Sequence, residues 1–205
     1  MKIFLARHGQ SVDNANHILN GHSNRPLTEL GRSQARKVAE EIKQRGLQFS
    51  TVLCSPLSRA KETAEILTSL SDNPKPSVEP LLIERDFGEM TGKKDSDIEK
   101  LCAPDILKTD TITYFLNPIG AETFPDLIER AHKLLAKIRN EYSGEPSILL
   151  VGHGDMGKMI YAAYYNLPWK QVLSDFHFGN SEVLLLSKDT PEDQRHFLKI
   201  AQHNL

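Results

Sequence analysis

Cysteine is scarce in this sequence: two residues, Cys54 and Cys102, in a chain of 205. Two cysteines cannot build the disulfide framework of a small secreted domain, and they suit a reduced cytoplasmic setting. Long hydrophobic runs are missing too. No segment reaches the roughly 18 apolar residues of a membrane-spanning helix, and the N-terminus lacks the apolar stretch of a secretory leader. The chain is therefore expected to be soluble and cytoplasmic, with Met1 as its native start and no membrane partner. Nor does one sign of charge dominate. A formal net charge of −2 draws the chain toward neither nucleic acid nor an anionic surface, so any anion it binds must be held by a local cluster. Repeats, low-complexity segments and metal motifs of the cysteine-rich or HExxH kind are likewise missing.

What is present is ordinary in bulk, with 39% apolar and 25% charged residues, enough for one sizeable domain over 1–205 with its own core. Lys2–Ala6 reads as a short buried strand. Thr28 opens a helix to about Arg45, with Leu30, Ala35, Val38, Ala39 and Ile42 on one face and Gly46 at its end. Thr51–Cys54 reads as a strand, with Cys54 in the core, and Ser58–Leu70 as a helix. A loop with two prolines (71–77) leads into an extended stretch over Val78–Ile83. Residues 91–121 are polar and poorly periodic. They are expected to form a cap insertion with one short helix near Ser96–Leu101. Thr123, with Asp126 three residues on, N-caps a long amphipathic helix to about Tyr142. Ser147–Val151 is a buried strand, Asp155–Asn166 a helix, and Glu182–Ser187 and His196–Ile200 are late strands. Strands alternating with helices point to an α/β fold with a sheet covered on both faces.

In such folds ligands gather at the C-terminal ends of strands. Arg7, His8 and Gly9 follow the first predicted strand, Arg59 the second, Glu84 and Arg85 the third, and His153 and Gly154 follow Ser147–Val151. Each has an ordinary reading alone. His8 could be a hydrogen-bonded structural histidine, Arg59 a solvated helix residue, Glu84 a surface carboxylate or a brace for Arg7 or Arg85. Structural roles give no reason for all of them to fall at strand ends. Together they suit phosphoryl transfer: arginine forks bind phosphate oxygens, a neutral imidazole attacks phosphorus, and a carboxylic acid protonates the leaving oxygen. Two histidines and an acid could also ligand a metal, but the adjacent arginines would repel the cation.

These residues stand in blocks that resemble the histidine phosphatase superfamily, also called the phosphoglycerate mutase-like family. "RHGQS" (7–11), "NGHSNRPLTELG" (20–31), "SPLSRAKETA" (55–64), "IERDFG" (83–88), "VGHGD" (151–155) and "GNSEVLLL" (179–186) fall in family order along nearly the whole chain. The resemblance implies a three-layer αβα sandwich around a mixed, mostly parallel six-stranded sheet. It implies His8 as the nucleophile that becomes phosphohistidine, and Glu84 as proton donor. Arg7, Arg59 and His153 would form the phosphate pocket, with Asn14, Asn20, Gly21, Arg85 and Gly154 also on the phosphate. No cofactor or metal is implied.

The sequence departs from that pattern in places. Gln10 replaces a frequent glutamate and is expected to reduce negative charge near the pocket; His22 replaces an aromatic residue. Asp155 stands where small or amide side chains are usual. It is read as a carboxylate favoured by the helix N-terminus, with substrate contact the alternative. His17, His132, His177, His196 and His203 match no motif and are expected to be structural or surface residues. The leading function is a metal-independent phosphomonoesterase acting on a small phosphorylated metabolite. The alternatives are a cofactor-dependent phosphoglycerate mutase and a catalytically weak phosphate-binding scaffold. Mutases of the family resemble one another in a longer insertion after the acid block, with paired arginines for a substrate carboxylate. Residues 86–129 contain no arginine here. Oligomeric state, monomer or homodimer, is left open.

Overall fold

Alternation decides which face each strand residue serves. In β1 (Lys2–Arg7), Ile3 and Leu5 enter one apolar cluster while Phe4 and Ala6 enter another. β6 (Ser147–Gly152) does the same, Ile148 and Leu150 against Leu149 and Val151, and β2 (Thr51–Cys54) sends Leu53 one way and Val52 and Cys54 the other. A sheet apolar on both faces must be covered on both. One cover is α5 (Phe124–Glu141), α6 (Gly154–Tyr165) and α7 (Trp169–Asp175). The other is α2 (Glu29–Gln44) and α3 (Ser58–Thr68). The computed structural model describes residues 1–191 and 194–199, and among these no helix is long and apolar enough to cross a membrane.

With β3 (Ser77–Val78), β7 (Val183–Leu186) and β8 (His196–Leu198), the sheet runs β3-β2-β6-β1-β7-β8. β3, β2, β6 and β1 are mutually parallel; β7 lies antiparallel to both β1 and β8. This is the mixed, mostly parallel six-stranded αβα sandwich that the family resemblance implies. β1 and β6 lie side by side at its centre, and their C-terminal ends carry Arg7-His8 and His153.

Several local readings need correction. Leu30 is 52% exposed rather than core. The first buried residues of α2 are instead Gly31 and Gln34, because the helix backbone meets the loop after β1 directly. A Cβ on Gly9 would lie 2.4 Å from the Gly31 carbonyl oxygen, and one on Gly31 would lie 2.1 Å from that of Gln10. The other end of α2 is as expected: Gly46, at φ +61°, donates to Lys43 O, and Leu47 N donates to Ile42 O, the Schellman pairing. Val78–Ile83 is not extended throughout. β3 stops at Val78, and Pro80 opens a 3-10 turn (Pro80–Leu82) whose Leu81 amide donates to the Glu79 side chain. Glu84 is thus delivered by a turn, not by a strand end.

Within 91–121, a 3-10 turn (Asp95–Asp97) and α4 (Ile98–Cys102) lie where the short helix is expected. A hairpin of β4 (Ile106–Lys108) and β5 (Thr113–Phe115) follows, unpredicted. Two more helices are additions to the sequence reading: α7, and α1 (Val12–Ala15), closed by a reciprocal cap between Ser11 and Asn14. Ile200, expected to end the last strand, and His203 lie outside the described residues.

Candidate active site

A cleft of about 460 Å³ opens beyond the C-terminal ends of β1 and β6. Its inner wall carries Arg7, His8, Arg59, Glu84 and Gly154, and Asn14, Asn20 and Asn180 stand around it. Phe87 and residues of the 91–121 segment, Ile98 and Ile112–Phe115, line it as well.

His8 is oriented from behind. Its Nδ1 lies 2.6 Å from the Gly9 carbonyl oxygen, which can only accept, so the proton sits on Nδ1 and Nε2 keeps its lone pair. Arg59 Nε reaches that lone pair at 3.2 Å. Burial and the positive charges of Arg59 and Arg7 push the His8 pKa well below the ordinary histidine range, so the imidazole is neutral. The loop is pinned on several sides. Gly9 N donates to Thr63 Oγ1 at 3.1 Å, and Asn180 Nδ2 to His8 O at 3.1 Å. Arg59 is aimed by the carbonyls of Ser23 (2.6 Å) and Gly21 (2.9 Å). Burial lowers its pKa to about 10, which leaves it cationic at neutral pH.

Arg7 Nη1 donates to Phe178 O at 2.7 Å, while its buried Nε has no partner among the described residues. His153 is fully buried and meets the His8 ring edge-on, the centroids 5.1 Å apart. Its Nε2 lies 2.7 Å from Ser55 Oγ, and its Nδ1 is likewise unpartnered. Burial and Arg59 push its pKa well down. Unpaired buried donors beside a nucleophile mark a place where a ligand supplies the acceptor.

The Glu84 carboxylate is hydrogen-bonded to neither the Arg7 nor the Arg85 guanidinium among the described residues. Its Oε1 accepts from the amides of Arg85 (2.9 Å) and Met156 (3.0 Å), and its Oε2 lies 3.3 Å from Asp155 N, at the start of α6. Burial, then the Asp155 charge, raise its pKa against those hydrogen bonds.

Other expected ligands are held by neighbouring protein groups, and Arg85, Asn14 and Asn20 among them line the cleft. Arg85 is fully buried. Nε bonds Asp155 Oδ2 at 2.9 Å, Nη1 bonds the carbonyls of Phe115 and Glu122, and the guanidinium packs over the rings of Phe87, Phe115 and Phe124. It therefore ties the 91–121 segment to α5 and α6 instead of offering a free fork. Gly21 supports Arg59 through its carbonyl. Asn14 and Asn20 do line the cleft, locked to each other and to Ser11. Gln10 is turned toward α2: its Oε1 accepts from Thr28 Oγ1 and its backbone N–H donates to Gln34 Oε1, so it serves the start of that helix. His22 bonds Glu84 O at 2.8 Å.

Two histidines read as structural or surface residues, His17 and His177, line the cleft, whereas His132 is exposed and His196 bonds Glu182. Sequence reasoning also missed Ser55, Tyr114 and the buried Lys158. Lys158 had a signal: it lies four residues after Gly154, on the same helix face.

The two neutral buried histidines predict how stability follows pH. Their folded pKa values lie below the unfolded value of about 6.5. The unfolded chain therefore binds more protons as pH falls through 6.5, and stability falls with it. Each histidine contributes at most about 1.4 kcal/mol per pH unit. Glu84, raised in the fold, acts in the opposite sense, but it is present in parent and variant alike and cancels from their difference. In phosphate-free buffer, urea unfolding should show ΔG dropping from pH 7 to 5.5, and His153→Gln should flatten that slope by close to one proton. A parent slope no steeper than the variant's would contradict the neutral buried pair.

Comparison with known proteins agrees with this geometry. The family model for the histidine phosphatase superfamily (branch 1) matches residues 3–199. The chain is 30% identical over 160 residues, 75% of each chain, to a 2,3-bisphosphoglycerate-dependent phosphoglycerate mutase of Methylobacterium sp. (strain 4-46). Among solved structures it is similar to a mycobacterial glucosyl-3-phosphoglycerate phosphatase complexed with VO3, with TM-score 0.76 and 26% identity, covering 91% of this chain and 92% of that one. It is also similar to the alpha-ribazole phosphatase of Shigella flexneri, with TM-score 0.75 and 25% identity, covering 90% and 89%.

Proposed function

Because the chain belongs to the histidine phosphatase superfamily, we propose that it is a metal-independent phosphomonoesterase working through a phosphohistidine on His8, with a small phosphorylated metabolite as substrate and the 91–121 segment as its cap. The observation that carries this reading is the Nδ1 hydrogen bond to Gly9 O at 2.6 Å. It leaves a neutral Nε2 lone pair in a cationic pocket, and a phosphorus atom is what such a pair can attack.

On binding, a phosphoryl oxygen takes the place of His8 Nε2 as acceptor for Arg59 Nε, and Arg7 Nε gains a partner. With the Ser55 hydroxyl donating to His153 Nε2, the His153 proton sits on Nδ1 as a further donor. Charge that develops on the equatorial oxygens is held by these fixed donors. His8 Nε2 forms the N–P bond as the ester P–O bond breaks, and Glu84 gives its proton to the departing oxygen. A water then attacks the phosphohistidine. Glu84 takes the water proton, the N–P bond breaks, and inorganic phosphate leaves with His8 neutral again.

The mutase name of a curated relative raises the question of the acceptor. The first arginine after Asp86 is Arg130, and it is already committed. It bonds the Glu122 carboxylate and the carbonyls of Leu81, Ile83 and Glu84. No arginine fork is left on the cap side to hold a phosphoglycerate as acceptor, which supports water in that role. With phosphoglycerate substrates, phosphate release should outrun interconversion of the 2- and 3-isomers, and p-nitrophenyl phosphate turnover should survive EDTA in full. Isomerisation faster than release would make the chain a mutase. Activity lost on chelation and restored by zinc or magnesium would replace the arginine-based mechanism.

A further inference from the structure

We propose that Lys158 and Tyr114 form a second anion subsite that reads a carboxylate on the leaving alcohol, an inference that rests on the phosphatase reading above. Both residues line the same cleft as His8 and both are buried. Lys158 Nζ donates to the Tyr114 hydroxyl and sits 5.1 Å from the centre of its ring. No other polar partner for either side chain occurs among the described residues. Asp155, one turn back on α6, is engaged by Arg85 and reaches Lys158 only through longer-range charge.

A buried ammonium without a carboxylate partner is costly, and at a cleft wall the missing partner is a ligand group. The rest of α6 supplies no reason for a charge there, since Met156, Met159 and Ile160 beside it are core residues. The pair is also close enough to the phosphate end for both members to interact electrostatically with Arg7.

The free donors define the ligand. Once Nζ has given one hydrogen to Tyr114, two N–H groups remain, and the phenolic proton is unassigned. Ammonium and hydroxyl side by side offer donors to the two oxygens of a carboxylate. A second phosphate dianion would place more charge beside Asp155 and Glu84 than one lysine offsets. A neutral sugar hydroxyl would leave the ammonium uncompensated.

The test compares phosphomonoesters that differ only in this group: phosphoglycolate and phosphooxypropanoate, each against its carboxamide. At pH 7 the parent should prefer the acid in kcat/KM by about 10–100-fold, the range of a charge-assisted pair. Lys158→Met should bring the acid-to-amide ratio close to 1, and Tyr114→Phe should lower it several-fold. Should Lys158→Met fail to fold, the parent alone still decides. Burial lowers the Lys158 pKa to about 8. The groups that face it are Asp155 on its own helix, Arg7 from β1, Tyr114 from β5 and His177 from the segment after α7. Loss of the ammonium proton above that pH should make the ratio fall. Titrations at the phosphate end act on acid and amide alike and cancel. A parent ratio near 1 at both chain lengths, a ratio flat to pH 10, or a Lys158→Met loss equal on acid and amide would each overturn the subsite. Phosphate released from none of these, nor from p-nitrophenyl phosphate, would instead overturn the phosphatase reading and the subsite with it.

Discussion

Replacing His8 by alanine should remove covalent labelling and cut turnover by on the order of 10⁴-fold or more, the usual scale for deleting a nucleophile that acts within a set. The loss is expected to be chemical rather than structural. Arg59 gives up only its Nε contact to His8, and its bonds to Ser23 O and Gly21 O remain. Gly9 stays tied to Thr63, and the close approach of Gly9 to Gly31 is unaffected. The emptied pocket should therefore still bind inorganic phosphate, and vanadate, which mimics five-coordinate phosphorus, should bind the parent. Rapid mixing of the parent with radiolabelled substrate, quenched without acid, should trap a phosphoramidate that is stable to base and labile to acid. Label that survives in His8→Ala would move the nucleophile elsewhere. Wild-type turnover with no trapped label under single-turnover conditions, where breakdown is slower than formation, would point to direct attack by water.

Legibility in the sequence followed the range of the interactions involved. β1, β2 and β6 announce themselves because residues buried on both faces make short continuous apolar runs, and such runs leave few alternatives. Arg7, His8 and His153 follow at once, since a residue directly after a central strand has little freedom about where it stands. Arg59 and Glu84 were found at the right place for partly different reasons. Glu84 reaches the cleft by a 3-10 turn set by Pro80 and capped by Glu79, a local signal read wrongly as strand. Within 91–121 only the short helix was legible. Tyr114 and Ile112 meet the cleft only because Arg85 and Phe124 dock the β4–β5 hairpin against the body. No spacing within 91–121 encodes that docking. Arg85 shows the converse: it lines the cleft, as its motif position implies, but its partners were not legible. Three aromatic rings and Asp155 claim the guanidinium, and those partners lie 30 or more residues away for Phe115, Phe124 and Asp155.

Glu84→Gln should distinguish an acid from a brace through the leaving group. An alkoxide leaves poorly, so an alkyl phosphate needs a proton as its P–O bond breaks, whereas nitrophenolate departs without one. General acid catalysis is typically worth roughly 10²–10⁴-fold. The variant should lose about that factor on alkyl phosphates and far less on p-nitrophenyl phosphate, measured as single-turnover phosphorylation of His8. The geometry allows some shared loss. Glutamine keeps one acceptor for the amides of Arg85 and Met156, but its NH2 then meets Asp155 N, which donates to Glu84 in the parent. The ratio of the two losses is therefore the deciding quantity. An acid must also hold its proton near neutral pH. Burial and the neighbouring Asp155 raise the Glu84 pKa, Arg59 opposes them, and a bound phosphate dianion offsets that arginine. The proton is thus held best when substrate is present, and kcat on alkyl phosphates should fall as pH rises through the Glu84 pKa of the complex. In Glu84→Gln that basic limb should vanish together with the leaving-group discrimination. Equal losses on both substrate classes with the limb intact would make Glu84 a brace for the start of α6, and Asp155, the next carboxylate on the cleft wall, would become the acid to test.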